Sequence, residues 1–446
     1  MVIASAAIVP ALFARELKLV VEIEERVYSY ESANNGAGPM WCAGSTSLVR
    51  TGDRVFATAL ETLPDLKPLN NCRWTLLERT SDGWVQRHKD KGRTREPSPM
   101  AVFDDGSVFV SGNPTTTPPD TYGGPAKPEL WRFSATDSLK AERHFPKWEG
   151  SPQFSEHSYR SLAADSEKGE LVLLQNVGYT HADWAFRDAS GNWSAQGKLE
   201  WPLGSEYEKP KPIRLCYPNV ALKNRAVHFF GVGDIAEPVP AWQQHKKELT
   251  GKEWDYVFRR LYYTWTPDIE SEPLSNWIEI AIRDETAGHL WPCDLWIAPD
   301  HTVHILWTER ALDDRLREKF FPDAEQSNSL NYSILRNGKP FLKKPLFESK
   351  NAAEVPARAR FHVTKDGRLF VVTAEGHRNR IVEILKDQSL GQSQELPLKK
   401  AFSNFFTTTP RAGSPASDTL ELLGTQVGTG NTMSYARIRL SSPSGH

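Results

Sequence analysis

The sequence predicts an all-β fold, and three observations lead to that prediction. Long amphipathic helical patterns are nearly absent from the 446 residues. Short apolar runs separated by Gly, Asp, Asn and Pro recur along the chain, which is typical of many short strands. A hairpin unit also returns at intervals of roughly 50 to 75 residues, the size of a four-stranded propeller blade. We therefore expect a seven-bladed β-propeller with four-stranded blades.

Seven hairpins carry the repeat, and each has an apolar strand, a short polar turn and a second apolar strand. They begin at Ser45, Ser98, Tyr159, Tyr217, Cys293, Ala359 and Phe405. The last unit has only SYARIRL after Met433 for its outer pair, so one strand is missing. The apolar run LKLVVEIEERVYSY at residues 17–30 supplies that strand and closes the ring, which leaves no open sheet edge.

The repeat predicts one propeller domain over residues 17–441. Residues 1–16 contain an apolar stretch that is too short to cross a bilayer, and they are expected to be a signal-peptide remnant or a disordered N-terminus. Residues 442–446 are expected to be a disordered tail. A signal peptide would make the protein secreted or periplasmic, and without one it is cytoplasmic. Helical spacing at residues 236–260 and 310–324 predicts short helices inserted on one face, as lids or as spacers.

Composition excludes several classes of partner. The formal net charge is −2, and the chain has no dense run of Lys and Arg, so nucleic acid is not expected to bind. The four cysteines show no CxxC spacing, which favours small buried core residues over a zinc or redox site. They are Cys42, Cys72, Cys216 and Cys293. We expect a monomer that does not bind membranes, holds no metal at the site and requires no cofactor.

The predicted fold brings distant residues to one place. The innermost strand of each blade lines the channel and the next strand returns to the same face, so the start of one and the end of the other meet at the channel mouth. The residues gathered there that we assign to substrate binding are Arg95, Tyr159, Arg160, Asp234, Trp291, Asp294, Arg358 and Arg360. The same rule brings four further residues to the channel mouth: His157 and His181 from the third blade, and Arg214 and Tyr217 from the fourth.

These residue types suit an anionic carbohydrate. Arginines offer planar forks for a carboxylate or sulfate, and aromatic residues such as Trp41 and Trp291 can stack on sugar faces. A histidine or tyrosine beside a carboxylate can remove the neighbouring acidic proton while a second group protonates the leaving oxygen, which amounts to β-elimination. Paired carboxylates would instead hydrolyse the glycosidic bond. The residues alone leave both reactions open.

Four short elements carry a resemblance to a known family: SEHSYRSLAAD, VGYTHADWAFRD, IRLCYPNVAL and the outer-strand YYTWTPD followed by NW. With them the chain resembles the BNR-type seven-bladed propellers that include ulvan lyases and related polysaccharide lyases, together with glycoside hydrolases that act on rhamnosyl-glucuronate linkages. The resemblance covers residues 150–310 best. It implies a propeller enzyme that cleaves a uronate-containing polysaccharide.

In those lyases two histidines and a tyrosine surround the uronate, and an arginine neutralises its carboxylate. The resemblance implies that His157 and His181 match the histidines and that Tyr217 matches the tyrosine. The arginine has no counterpart, because the chain reads FFGVGDI there and Asp234 falls near its place; Arg214 is the candidate replacement. The first histidine also stands in EHS, where the family has Asp-His-Asn.

The leading hypothesis is therefore a polysaccharide lyase that cleaves an anionic glycan at the channel mouth. A glycoside hydrolase acting on a rhamnosyl-glucuronate linkage is the first alternative, and a non-catalytic glycan-binding propeller is the second. A sialidase is disfavoured because the chain has no early Arg-Ile-Pro element.

Overall fold

The computed structural model describes residues 17–134, 139–205 and 207–441. The predictions for residues 1–16 and 442–446 lie outside these ranges. The described chain forms seven blades of antiparallel strands, so the predicted seven-bladed propeller is confirmed.

The first three blades use strands β2–β5, β6–β9 and β10–β13. The strands up to this point are β1 (Lys18–Ser29), β2 (Leu48–Thr51), β3 (Arg54–Thr62), β4 (Cys72–Thr80), β5 (Gly83–Lys89), β6 (Met100–Val102), β7 (Val108–Gly112), β8 (Glu129–Phe133), β9 (Ala141–His144), β10 (Ser161–Asp165), β11 (Glu170–Val177), β12 (His181–Arg187) and β13 (Trp193–Glu200). A small separate sheet follows, made of β14 (Leu203–Gly204) and β15 (Lys211–Pro212).

Blade 4 combines β16, β17, β19 and β20, with β18 paired beside β17, and blades 5 and 6 use β21–β24 and β25–β28. Their strands are β16 (Arg214–Lys223), β17 (Ala226–Ala236), β18 (Tyr256–Val257), β19 (Arg260–Thr266), β20 (Ile278–Ile282), β21 (Ala287–Ile297), β22 (Val303–Leu312), β23 (Asn328–Arg336), β24 (Lys339–Ser349), β25 (Arg358–Val363), β26 (Leu369–Glu375), β27 (Arg378–Ile384) and β28 (Gln394–Glu395). A 3₁₀ helix at Ala352–Glu354 joins blades 5 and 6.

Blade 7 closes the ring with the N-terminal strand. It contains β29 (Phe402–Thr407), β30 (Thr419–Gln426) and β31 (Thr432–Ser441), and β1 pairs antiparallel with β31 as its outermost strand. The predicted closure is confirmed. Because both ends of the chain share one sheet, the ring is held together by main-chain hydrogen bonds rather than by side-chain packing alone.

Hydrophobic clusters fill the space between neighbouring blades. Val49 and Phe56 of blade 1, for example, pack in one cluster with Met100 and Val108 of blade 2. Since each blade is covered on both faces, β11 is buried along nearly its whole length instead of at alternate positions. This explains why the innermost hairpins appear in the sequence as continuous apolar runs. All four cysteines are free thiols buried in this interior, as predicted.

Charged side chains from several blades meet at the centre of the ring and form hydrogen bonds there. Asp294 of blade 5 accepts hydrogen bonds from Nε and Nη2 of Arg411, at 3.0 and 2.8 Å. Arg411 also donates to the carbonyl of Gly44 at 2.9 Å, and Arg360 of blade 6 donates to the carbonyl of Ala43 at 2.6 Å. The loop that precedes blade 1 is thereby tied to blades 5 and 6 and to the β29–β30 loop of blade 7.

Two helices lie in the segments where helices were predicted: α1 (Pro240–Thr250) follows β17 and α2 (Asp314–Phe320) follows β22. Since β17 and β22 are second strands of their blades, both helices stand on the face where the mouth residues gather. They pack on each other through the ring of Trp242, whose centroid is 6.4 Å from that of Phe320 and 5.5 Å from that of Phe321. Among the described residues, no helix is both long and apolar enough to cross a membrane.

Candidate functional site

Five rings form a continuous cluster at the channel mouth, which we call the mouth cluster: Trp41, His157, Tyr159, Tyr217 and Trp291. The Trp41 ring stacks on Tyr159 at 5.9 Å and meets Tyr217 edge-on at 6.0 Å. His157 lies 4.6 Å from Tyr159, and Trp291 lies 4.3 Å from Tyr217. Rings from blades 3, 4 and 5 and from the loop before blade 1 therefore form one cluster, in which Tyr159 and Tyr217 are buried and Trp41, His157 and Trp291 are half-buried.

Unusual backbone geometry places the two tyrosines. Tyr159 and Tyr217 have φ values of 39° and 51°, in the left-handed region that bulky residues rarely adopt. The pairing of β16 with β17 shifts between Cys216 and Asn219, so Tyr217 sits in a β-bulge. Bulges redirect side chains, and strained residues concentrate at functional sites, so this geometry supports a functional role for the cluster.

Gly44 allows the bulge to approach the centre. A Cβ atom at this position would lie 2.2 Å from the carbonyl oxygen of Tyr217 and 2.4 Å from that of Pro218. Since both obstacles are main-chain atoms, neither has a side-chain rotation that would relieve the contact. The loop that carries Trp41 therefore fits against the bulge only with glycine at this position.

Glu96 orients His157. Its carboxylate lies 2.8 Å from Nδ1 of His157, and it accepts hydrogen bonds from the main-chain N–H and the hydroxyl of Ser158, at 3.2 and 2.7 Å. Burial alone would raise the pKa of Glu96, but the His157 hydrogen bond, the charge of Arg160 and the Ser158 hydrogen bond lower it to about 2. An ionised carboxylate only accepts, so Nδ1 of His157 donates to Glu96 and Nε2 is the ring nitrogen left for another partner.

The arginines at the mouth differ in whether their charge is already balanced. Arg214 forms a buried ion pair with Asp234 and lies over the ring of Tyr159. Arg95 lies over Trp41 at 6.0 Å and Arg358 over Trp291 at 5.0 Å, and among the described residues neither has an ion pair. The mouth cluster thus has an unpaired guanidinium beside the tryptophan at each end.

The tyrosines of the cluster are neutral phenols. Burial is the main reason that the pKa values of Tyr159 and Tyr217 lie well above their usual range, and the nearby Cys216 and Asp234 add to the effect. The Tyr159 hydroxyl donates to Asp234 at 3.4 Å. Both phenols therefore keep their protons at neutral pH.

His181 has a different environment from His157. It begins β12, the third strand of blade 3, with Nδ1 2.7 Å from the Thr180 hydroxyl and Nε2 3.5 Å from Asp183. The described residues show no hydrogen bond or ring contact between the two histidines. The predicted convergence thus brings His157 into the mouth cluster, whereas both ring nitrogens of His181 face its own neighbours.

Five of the eight residues assigned to substrate binding are buried: Tyr159 and Asp234 in or beside the mouth cluster, and Arg160, Asp294 and Arg360 where other parts of the protein use their polar groups. Arg160 and Asp294 are 0 % exposed and Arg360 is 6 % exposed. Arg160 donates to Ser158 and to the main chain, whereas Asp294 and Arg360 belong to the charged centre of the ring. Because the hydrogen-bonding groups of Arg160, Asp294 and Arg360 are used within the protein, we leave these three residues out of the site.

Sequence reasoning missed His289. Its ring is stacked parallel to Trp291 at 6.3 Å, and it meets Phe258 at 5.7 Å. Burial, with the charges of Arg310 and Arg358, lowers the pKa of His289 to about 4, so its imidazole is neutral at physiological pH. A signal existed, because residues two apart on a strand face the same side and His289 precedes Trp291 by two.

A metal-binding cluster is not formed in the part of the chain that the structure describes. No group of three or more His, Cys, Asp or Glu side chains there is arranged to hold a metal ion. The expectation that the site needs no cofactor stays a prediction, as does the monomeric state.

Solved structures share the fold. The chain is similar to a polysaccharide lyase of family PL25, an ulvan lyase, with a TM-score of 0.53 and 8% identity over 94% of this chain and 95% of that one. It also matches a protein of unknown function from Dyadobacter fermentans, with a TM-score of 0.45, 10% identity and coverage of 95% and 99%. A third match is a GH93 α-L-arabinofuranosidase of Fusarium graminearum, with a TM-score of 0.38 and 11% identity. The match covers 76% of this chain and 91% of that one. No protein-family model and no curated protein matches the sequence.

Proposed function

We propose that the protein is a carbohydrate-active enzyme that cleaves a uronate-containing polysaccharide at the mouth cluster by β-elimination. One observation carries the proposal: an imidazole held by an ionised carboxylate, His157 with Glu96, belongs to an aromatic surface with an unpaired guanidinium at each end. The likeness in fold to an ulvan lyase is consistent with this activity.

His157 is the proposed base. Its Nε2 lone pair takes the proton from the carbon that bears the uronate carboxylate, and the electrons of that C–H bond form the new C=C bond. The bond from the adjacent carbon to the glycosidic oxygen breaks, and its electron pair leaves with the oxygen. Histidine is the side chain that most often moves a proton in such a step.

Tyr217 is the proposed acid. The leaving oxygen needs a proton, and burial keeps this phenol protonated. Transfer of that proton leaves a tyrosinate, which regains a proton from the imidazolium of His157 through solvent, so the enzyme returns to its starting state. His181 was the other candidate for this role, but Thr180 and Asp183 engage its ring nitrogens, which favours Tyr217.

The substrate carboxylate requires a cation, because negative charge develops on it as the proton leaves. Arg214 was the candidate replacement for the family arginine, yet Asp234 already balances its charge. Arg95 and Arg358 have no such partner among the described residues, so we assign carboxylate recognition to them. Hydrolysis is less well supported because the carboxylates beside the cluster, Glu96 and Asp234, are held in buried pairs.

The activity test is incubation of the purified protein with a panel of uronate polysaccharides, followed by the ultraviolet absorbance of the unsaturated product. His157→Ala and Tyr217→Phe are expected to abolish the signal while remaining folded. Reducing sugar without that absorbance would indicate a hydrolase, and binding without any product would indicate a glycan-binding propeller. Full activity in both variants would overturn the site assignment.

Carboxylate recognition is tested separately. Arg95→Ala and Arg358→Ala are expected to raise KM by about tenfold to a hundredfold, the worth of a charge-assisted hydrogen bond. Arg336→Ala is the matched control, because Arg336 is an exposed arginine that lies over Phe341 on the outer strands of blade 5. Unchanged KM in both mouth variants would contradict the assignment.

A further inference from the structure

Two exposed tyrosines cover the Arg214 ion pair beside the mouth cluster. Tyr179, in the turn between β11 and β12, is 56% exposed, and its ring centroid is 4.2 Å from the guanidinium carbon of Arg214. Tyr256, in β18, is 43% exposed and lies 6.0 Å from the same carbon. Partial burial and the adjacent Tyr179 raise the pKa of Tyr256, which agrees with neighbouring hydroxyls.

A charge network around the buried Lys246 fixes the segment that carries Tyr256. The residue before it, Asp255, forms ion pairs with Lys246 of α1 at 2.9 Å and with Arg315 of α2 at 3.1 Å. Its carbonyl accepts a hydrogen bond from the N–H of Glu237 at 2.8 Å. The two helical insertions therefore brace this segment. Burying ions is costly, so such a network serves to define geometry more than to add stability.

The braced segment presents aromatic rings to solvent. Trp254, on the other side of Asp255, is 69% exposed. Large rings that stay exposed on a fixed backbone beside a functional site are typical of binding surfaces, because they bury area on contact at a small entropic cost. Since sugar rings carry apolar faces, this surface suits a carbohydrate.

This surface differs in charge from the two ends of the mouth cluster. Arg214 is the cation beneath Tyr179, and Asp234 neutralises it. Arg95 and Arg358, by contrast, have no ion pair among the described residues. A surface of aromatic rings over a balanced ion pair favours a neutral ring over a charged one, because an anion would gain no net attraction.

We propose that Tyr179 and Tyr256 form a second sugar-binding subsite that takes a neutral sugar residue of the same glycan chain. The inference rests on the proposed function and specifies its substrate as a polysaccharide that contains a neutral sugar as well as uronate. The turn of blade 3 and the insertion of blade 4 supply the subsite.

The test is affinity electrophoresis in native gels that contain hyaluronan, unsulfated chondroitin or desulfated ulvan, in each of which a uronate alternates with a neutral sugar. Tyr179→Ala and Tyr256→Ala are expected to raise Kd about three- to tenfold, the range of an aromatic contact. Tyr179→Phe and Tyr256→Phe keep the rings and are expected to bind normally. Phe341→Ala removes an equally exposed ring, at 64% exposure on outer strand β24, and serves as the control.

Each outcome decides the matter. Wild-type retardation that weakens in the two alanine variants alone supports the subsite. Wild-type retardation that is unchanged in them overturns the subsite and leaves the proposed function standing. Equal losses in the alanine and phenylalanine variants would assign binding to the hydroxyls and overturn a stacking subsite. A wild-type protein that none of the three polymers retards overturns the neutral-sugar subsite, and the proposed function falls with it only if the uronate panel also gives no unsaturated product.

Discussion

Glu96→Gln isolates the charge that holds His157. Glu96 is 0 % exposed and accepts from His157 Nδ1 at 2.8 Å and from the Ser158 hydroxyl at 2.7 Å. Glutamine has nearly the same volume, so packing is preserved. The glutamine amide group, however, places N–H donors opposite Nδ1 of His157 and the hydroxyl of Ser158, which themselves donate. The negative charge of the carboxylate is also lost.

The size of the effect follows from the pKa. Contacts with His157, Arg160 and Ser158 outweigh burial and lower the pKa of Glu96 from 4.5 to about 2, which corresponds to about 3 kcal/mol of folding free energy. Because the folded pKa lies below the unfolded one, this stability is complete above pH 4.5 and is lost as the pH falls toward 2. Glu96→Gln should therefore destabilise the protein at neutral pH and remove this acid-dependent loss.

Urea unfolding at neutral and at acidic pH measures both effects. Glu129→Gln is the control, because Glu129 is also buried, at 2 % exposure, but its burial raises the pKa. A raised carboxyl pKa means that ionisation destabilises the fold as the pH rises, so this variant should not lose stability at neutral pH. In the activity assay we expect Glu96→Gln to lower kcat about tenfold to a hundredfold through loss of the correct tautomer. A Glu96→Gln variant that is as stable as the wild type at neutral pH, and that loses the same stability on acidification, would refute the reasoning.

The remaining predictions concern the supports of the site. Gly44→Ala should lower stability by about 1–3 kcal/mol and reduce activity, since its Cβ would lie 2.2 Å from the carbonyl of Tyr217. Gly38→Ala is the control, because a Cβ atom at Gly38 would have no atom within 4 Å, and it should change neither stability nor activity. Thermal unfolding compares the stability of the two variants. Lys246→Ala should cost about 1–3 kcal/mol in denaturant unfolding, because it removes one of the two cations that pair with buried Glu237 and leaves Arg259 at 2.6 Å. A Lys246 variant as stable as the wild type would show that the network adds nothing.

The fold was predictable because its signals are local and repeated. Apolar runs and the turns between them mark each hairpin, and seven hairpins at blade-like spacing leave few alternatives. The closure by β1 followed from counting the strands of the last unit. The helices at α1 and α2 followed from a change in apolar spacing, but spacing did not show that they brace the segment of Tyr256.

The site was predictable only in part. The hairpin rule placed His157, Tyr217 and Trp291 on one face, where the structure joins them through their rings. It brought Glu96 to the same mouth, but it did not show that Glu96 pairs with His157, which lies 61 residues away. The hairpin rule also could not show that Arg160 is buried and Arg358 is not. The position of a residue along a strand does not tell whether its guanidinium points to the interior or to solvent.

The sequence by itself therefore determined the propeller, its closure and the residue types that reach the mouth, because these depend on periodicity along the chain. The tertiary structure alone decided which charges are balanced. Asp234 neutralises Arg214 from the neighbouring strand, whereas Arg95 and Arg358 meet tryptophans from other parts of the chain. Ion pairing depends on distances of a few ångströms between segments that packing brings together, and no pattern along the chain encodes those distances.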